Sequence, residues 1–221
     1  MNLPPALRHH DFRLFWIGQA LSGFGSQFTT VAMAWQIYAL THSPVQLGLL
    51  GLARAVPQMG LMLFGGLLAD AVDRRRLLMV VQLLQLVVSL ALAVFTALGL
   101  MTPTVLFVAA ALFAASTGLG NPARQAYVPN LVPREDLGSA LAFNSTSQQV
   151  ASIAGPAIGG VLIGVAGAAP CYAIDAVSWL ALLAALVMIR TRQPLGGRAA
   201  ATISALGEGV ERDLDAGGQS T

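Results

Sequence analysis

Two ionisable residues stand where charge is costly. Arg54 and Asp175 lie inside long apolar stretches, 45–70 and 169–189. A charge at the middle of a bilayer costs about 2.5–3.5 kcal/mol on insertion scales, so each needs a partner, water or a role with a charged species. Counted from the start of its stretch at about 1.5 Å per residue, Arg54 lies about 13 Å deep and Asp175 about 8 Å. An extended arginine can bridge that difference. A direct pair, separate structural partners, and a substrate or proton role therefore all stand open. Uncharged polar residues repeat at helical spacing: Gln19, Ser22, Ser26 and Thr29 in one stretch, with Gln36 further along, and Asn144, Gln148 and Ser152 in another. Each set shares a helix face. Such a face makes helix–helix hydrogen bonds, worth about 0.6 kcal/mol each in membranes, or lines a polar cavity. Gly155-Pro156-Ala157-Ile158-Gly159-Gly160 adds small residues at four-residue steps, Gly155/Gly159 and Gly160/Gly164, which permit close helix contact. Pro156 bends the helix that carries them.

Composition dictates the elements that hold these residues. The chain has 221 residues, 56% hydrophobic and only 10% charged, with a mean hydropathy of +0.70. Soluble domains carry about 25% charged residues, so this chain cannot cover a water-facing surface. It reads as an integral membrane protein whose first partner is the lipid bilayer. Six apolar stretches, at 14–39, 45–70, 77–99, 104–121, 139–165 and 169–189, suit spanning helices of roughly 20 residues. Open strands leave backbone groups unsatisfied in lipid, so the expected fold is all-α. Residues 1–13 form a terminus before the bundle of 14–190, and 191–221 form a polar tail. A short helix over 204–210 would fit within that tail.

All 12 basic residues are arginine. Arg8, Arg13, Arg74, Arg75, Arg76, Arg124, Arg134, Arg190, Arg192, Arg198 and Arg212 fall at one end of the up-and-down helices, and the three short turns at the other end have none. The positive-inside rule then puts both termini in the cytoplasm. The net charge of +2 is thereby explained by membrane topology and does not point to nucleic acid. His9, His10 and His42 lack metal-ligand spacing, and no phosphate loop or nucleophile constellation occurs, so no metal, cofactor or catalysis is expected. Cys171 reads as a small buried hydrophobe.

The segment Gly65-Gly66-Leu67-Leu68-Ala69-Asp70-Ala71-Val72-Asp73-Arg74-Arg75-Arg76 joins the second and third stretches. Its Gly66, Leu68, Ala69, Asp70, Arg74 and Arg75 resemble the signature of the major facilitator superfamily, Gly-x-Leu-Ala-Asp-Arg-x-Gly-Arg-Arg. Ala71 and Asp73 depart from it, and the Asp73 form resembles the branch of enterobactin and macrolide exporters. Gly155, Pro156, Gly159 and Gly160 are similar to the Gly-Pro-x-x-Gly-Gly motif of antiporters in that superfamily. A basic residue expected within the fourth helix is absent from 104–121. The resemblance implies six helices built as two inverted three-helix repeats, half of a facilitator fold. It implies a small-molecule substrate, efflux by alternating access, and a gate formed by Gly66, Asp70, Asp73, Arg74 and Arg75. Gln19, Ser22, Ser26, Thr29, Asn144 and Gln148 would line the cavity. Such a half is expected to be a truncated product, or to work with a second six-helix half or a second copy of itself. A membrane protein that binds a partner without transport is the other reading.

Overall fold

A computed structural model describes residues 4–71 and 73–189, with side chains for all of these except 63–71 and 74. The tail at 191–221, including the helix expected at 204–210, lies outside the described residues. Six long helices follow one another: α1 (His10–Thr41), α2 (Pro44–Ala71), α3 (Arg74–Ala97), α4 (Pro103–Tyr127), α5 (Leu137–Ala166) and α6 (Ala168–Met188). No strand occurs among the described residues.

Local chemistry sets the ends. His42 takes a left-handed conformation (φ 50°) and its N–H returns to the Tyr38 carbonyl at 2.8 Å, closing α1. Thr102 caps α4 by accepting from the Val105 N–H. Gly167, at φ 83°, makes the one-residue break between α5 and α6, a backbone state that a side chain would strain.

α4 outruns its expected end at 121. Pro122 removes only one backbone bond, and the helix continues because Ala123, Arg124 and Tyr127 bury against the bundle.

α2 packs on α4, α4 on α3, α3 on α6, α6 on α1, and α1 on α5. Side-chain bonds tie the helix ends. Arg75 on α3 donates to the carbonyls of Leu186 and Val187 at the end of α6 (2.7 and 3.2 Å), and His9 meets Asp136 before α5 at 2.7 Å. At the opposite end Gln36 bridges Thr96 and Tyr172. Arg8, Arg13, Arg75, Arg76 and Arg134 therefore share one end of the bundle.

Burial is inverted relative to a soluble protein. Gln19, Ser22, Thr29, Gln82, Gln85, Ser89 and Asp175 are buried, while Val165 is 84% and Ile153 70% exposed. Lipid as the surrounding solvent accounts for both facts, because apolar side chains lose nothing there and polar ones must find each other. Among the described residues, four helices are long and apolar enough to cross a bilayer: Arg75–Ala97, Pro103–Asn130, Arg134–Ala166 and Ala168–Met188. α1 is not among them despite its 32 residues, since Gln19, Ser22, Ser26, Gln27, Thr29, Thr30 and Gln36 dilute its apolar character. The side chains of α2 are described only to Met62.

Candidate functional site

Three helices converge on Asp175. The carboxylate is fully buried, and its Oδ2 accepts from Thr29 Oγ1 of α1 at 2.8 Å and Ser89 Oγ of α3 at 2.6 Å. Its Oδ1 has no partner among the described residues and lies against Gly25 of α1. The approach is close because α1 presents glycine twice on that face. A Cβ at Gly25 would sit 2.7 Å from Asp175 Oδ1 and 2.5 Å from Ser178 Oγ, and one at Gly18 would sit 3.0 Å from the Leu182 Cα. Two helix turns separate the glycines, so one α1 stripe receives one α6 stripe.

Arg54 is not the partner of Asp175. Its Nη2 donates to Thr30 Oγ1 at 3.0 Å, and the Thr30 hydroxyl in turn donates to the Ser26 carbonyl at 2.8 Å. Adjacent residues on a helix point about 100° apart. Thr29 and Thr30 thus hold the two charges on different sides of α1, a separation that depth counting along each helix does not reveal.

The polar face of α1 divides in the same way. Gln19, Ser22 and Thr29, read as cavity candidates, are buried inside the bundle, and Thr29 faces Asp175 of α6. Ser26 is half-buried. On α5, Asn144 is half-buried and Gln148 exposed. The packing motif of α5 splits too. Gly155 receives the Gln27 side chain, where a Cβ would stand 2.6 Å from Gln27 Cβ, and Gly159 receives Phe28. Gly160 and Gly164 face open space. Pro156 lies within the uninterrupted run of α5.

At the arginine-rich end, Asp73 caps α3 by accepting from the Arg75 N–H at 2.9 Å, with Arg76 Nε at 3.9 Å. Asp73 thus does local work at the one position where the loop has an acid in place of glycine. Arg75 neutralises the carbonyl end of α6. The side chains of Gly66, Asp70 and Arg74 lie outside those described.

Arg124 escaped the sequence reading, which counted it as loop charge and found no basic residue in the fourth helix. It lies within α4, only 8% exposed, with Nε and Nη2 unpartnered among the described residues. Two glutamines of α3 are buried as well: Gln82, with both amide atoms unpartnered among the described residues, and Gln85, whose amide nitrogen donates to Thr117 at 3.1 Å. The available signal was the apolar spacing of Ala123, Tyr127 and Val128 beyond Pro122, which carries the helix past the proline.

An apolar exterior around a hydrogen-bonded polar interior defines a helical integral membrane protein. The family described as transmembrane secretion effector matches residues 3–210, and the chain belongs to that family of the major facilitator superfamily. The enterobactin exporter EntS of Citrobacter koseri is 27% identical over 195 residues, covering 88% of this chain and 47% of that protein. The enterobactin exporter EntS of Salmonella typhi is 28% identical over 196 residues, with the same two shares. This chain spans about half the length of these relatives.

Proposed function

We propose that this chain is the N-terminal six-helix half of a secondary transporter of the cell membrane, exporting small organic molecules such as drugs or siderophores by alternating access. The observation that carries the reading is the family match along residues 3–210, joined to relatives named as exporters. The helix contacts support the internal symmetry. Exchanging α1, α2 and α3 with α4, α5 and α6 turns the α2–α4 packing into α5–α1 and the α1–α6 packing into α4–α3, and both members of each pair occur. Inverted three-helix repeats produce this relation. In this reading all six helices span the bilayer and both termini are cytoplasmic. Asp70, Asp73, Arg74 and Arg75 bias the cytoplasmic gate. Arg54, Asn144 and Gln148, none of them buried, belong to the path completed by a second six-helix half, supplied by another chain or a second copy.

One observation favours the partner-binding alternative: Gly160 and Gly164 leave an open small-residue groove on α5, suited to another helix. Efflux separates the two. In an efflux-deficient bacterium, the chain produced with its second half should lower accumulation of a transported dye or siderophore, and Asp70→Asn should abolish that effect. Unchanged accumulation, with the chain co-purifying with an unrelated membrane protein, would refute transport.

A further inference from the structure

Arg54 presents donors that no side chain among the described residues uses. Of the five N–H donors of its guanidinium, the only side-chain bond among the described residues goes to Thr30. Thr30 accepts from Arg54 and donates to the Ser26 carbonyl, so its neutral hydroxyl orients the guanidinium without neutralising it. Asp175, the one fully buried carboxylate among the described residues, is held by Thr29 and Ser89 on another side of α1. No carboxylate among the described residues lies within 4.0 Å of Arg54. No guanidinium nitrogen of Arg54 belongs to the sealed, unpartnered set that includes Arg124 Nε. The group is therefore partly open, fixed at one end, and about 15 Å along α2 from Pro44, at the rise of an α-helix. An unneutralised cation at that depth is expensive, and an arriving anion removes the cost.

We infer that Arg54 is the recognition residue for an anionic substrate: an organic molecule carrying a carboxylate or comparable oxyanion that accepts from the free edge of the guanidinium. This rests on the transporter reading for its path but not for its test. The arrangement selects for charge, since a neutral isostere of the same body leaves the guanidinium uncompensated. Arginine suits the task because its planar fork binds an oxyanion through two parallel bonds.

The test measures equilibrium binding to the purified full chain in nanodiscs. The probes are the aryl carboxylates salicylate and 2-naphthoate, beside the neutral amides of the same bodies. The unmodified chain should prefer the carboxylates. Arg54→Gln should weaken them about ten- to a hundredfold, the loss expected for a charge-assisted hydrogen bond, with the amides unchanged. Arg54→Lys should keep a preference for the carboxylates over the amides, because the charge remains, at an affinity between those of the parent and Arg54→Gln, because the two-bond fork is lost. Equal affinity for acid and amide would overturn the inference, as would carboxylate binding that survives in Arg54→Gln. A parallel loss of acid and amide in both variants would make Arg54 a structural residue or the partner of a carboxylate in the second half, which also overturns it. Carboxylate binding that depends on Arg54, in a chain that moves nothing when joined to its second half, would uphold this inference and refute transport.

Discussion

Replacing Gly25 by alanine should separate α1 from α6 and loosen the buried carboxylate. The added Cβ would lie 2.5 Å from Ser178 Oγ, 2.7 Å from Asp175 Oδ1 and 2.9 Å from Asp175 Cα, where ordinary contact begins at 3.4 Å. The two side-chain oxygens can rotate aside, but a backbone Cα cannot, so the helices must part by at least the 0.5 Å between 2.9 and 3.4 Å. That shift stretches the Thr29–Asp175 bond from 2.8 Å toward the limit of useful geometry. Overpacking costs about 1–3 kcal/mol, and a weakened interhelical bond in a membrane protein adds about 0.6 and at most about 1.7 kcal/mol. The sum is about 2–5 kcal/mol, which at about 2–4 °C per kcal/mol for a chain of this size lowers Tm by roughly 4–20 °C. The assay is thermal unfolding of the detergent-solubilised chain, followed by the loss of its monodisperse peak. Gly160→Ala is the matched control, because its Cβ would meet nothing within 4 Å. Equal Tm values for the two variants would show that the α1–α6 seam is not the tight contact described.

Further outcomes follow from the same geometry. Asp175→Asn should hold within about 1 kcal/mol of the parent because it keeps an acceptor for Thr29 and Ser89, while Asp175→Ala should lose about 2 kcal/mol or more by stranding both hydroxyls; equilibrium unfolding separates them. Arg124→Met should be neutral or raise Tm, since it removes a buried guanidinium with unpartnered nitrogens; a marked fall would mean that Arg124 has a partner beyond the described residues. Asp73→Ala should cost about 1 kcal/mol and speed hydrogen exchange at the start of α3, with Asp73→Asn much closer to the parent. A periplasm-active reporter fused after Ser43 should be active and one fused after Arg134 inactive; the reverse pattern would invert the topology.

The helices were legible because lipid leaves few choices. A run of about 20 apolar residues has to be a helix, and arginine and proline punctuate the runs. The failures share one cause. The fourth apolar stretch ends at 121, yet a helix whose next turns carry Ala123 and Tyr127 gains more from burying them than it loses with the one backbone bond removed by Pro122. Arg124 was then misplaced with the loop. Facing directions failed as well, because a polar stripe and a glycine stripe overlap on α1. The spacing of Gln19, Ser22, Ser26 and Thr29 shows that they share a face, but not whether it turns toward α6 or toward a cavity. Gly18 and Gly25 held that information: where two glycines stand two turns apart, another helix presses close, and polar residues flanking them are drawn into the contact.

That overlap bears on what each charge can do. Asp175 sits where α1, α3 and α6 meet, bound through hydroxyls from two of them and pressed against a glycine, so any change at its carboxylate is felt by three helices at once. Arg54 touches α1 through one hydroxyl and retains open donors, so it can exchange partners without disturbing the seam. Under alternating access, groups that hold the half-bundle rigid must differ from groups that take and release cargo, because a rocking half moves as a unit. The geometry already divides the labour between adjacent threonines: Thr29 serves the rigid interior and Thr30 orients the open cation. A Thr29→Val variant should therefore lower stability with little effect on anion affinity, and Thr30→Val should do the reverse.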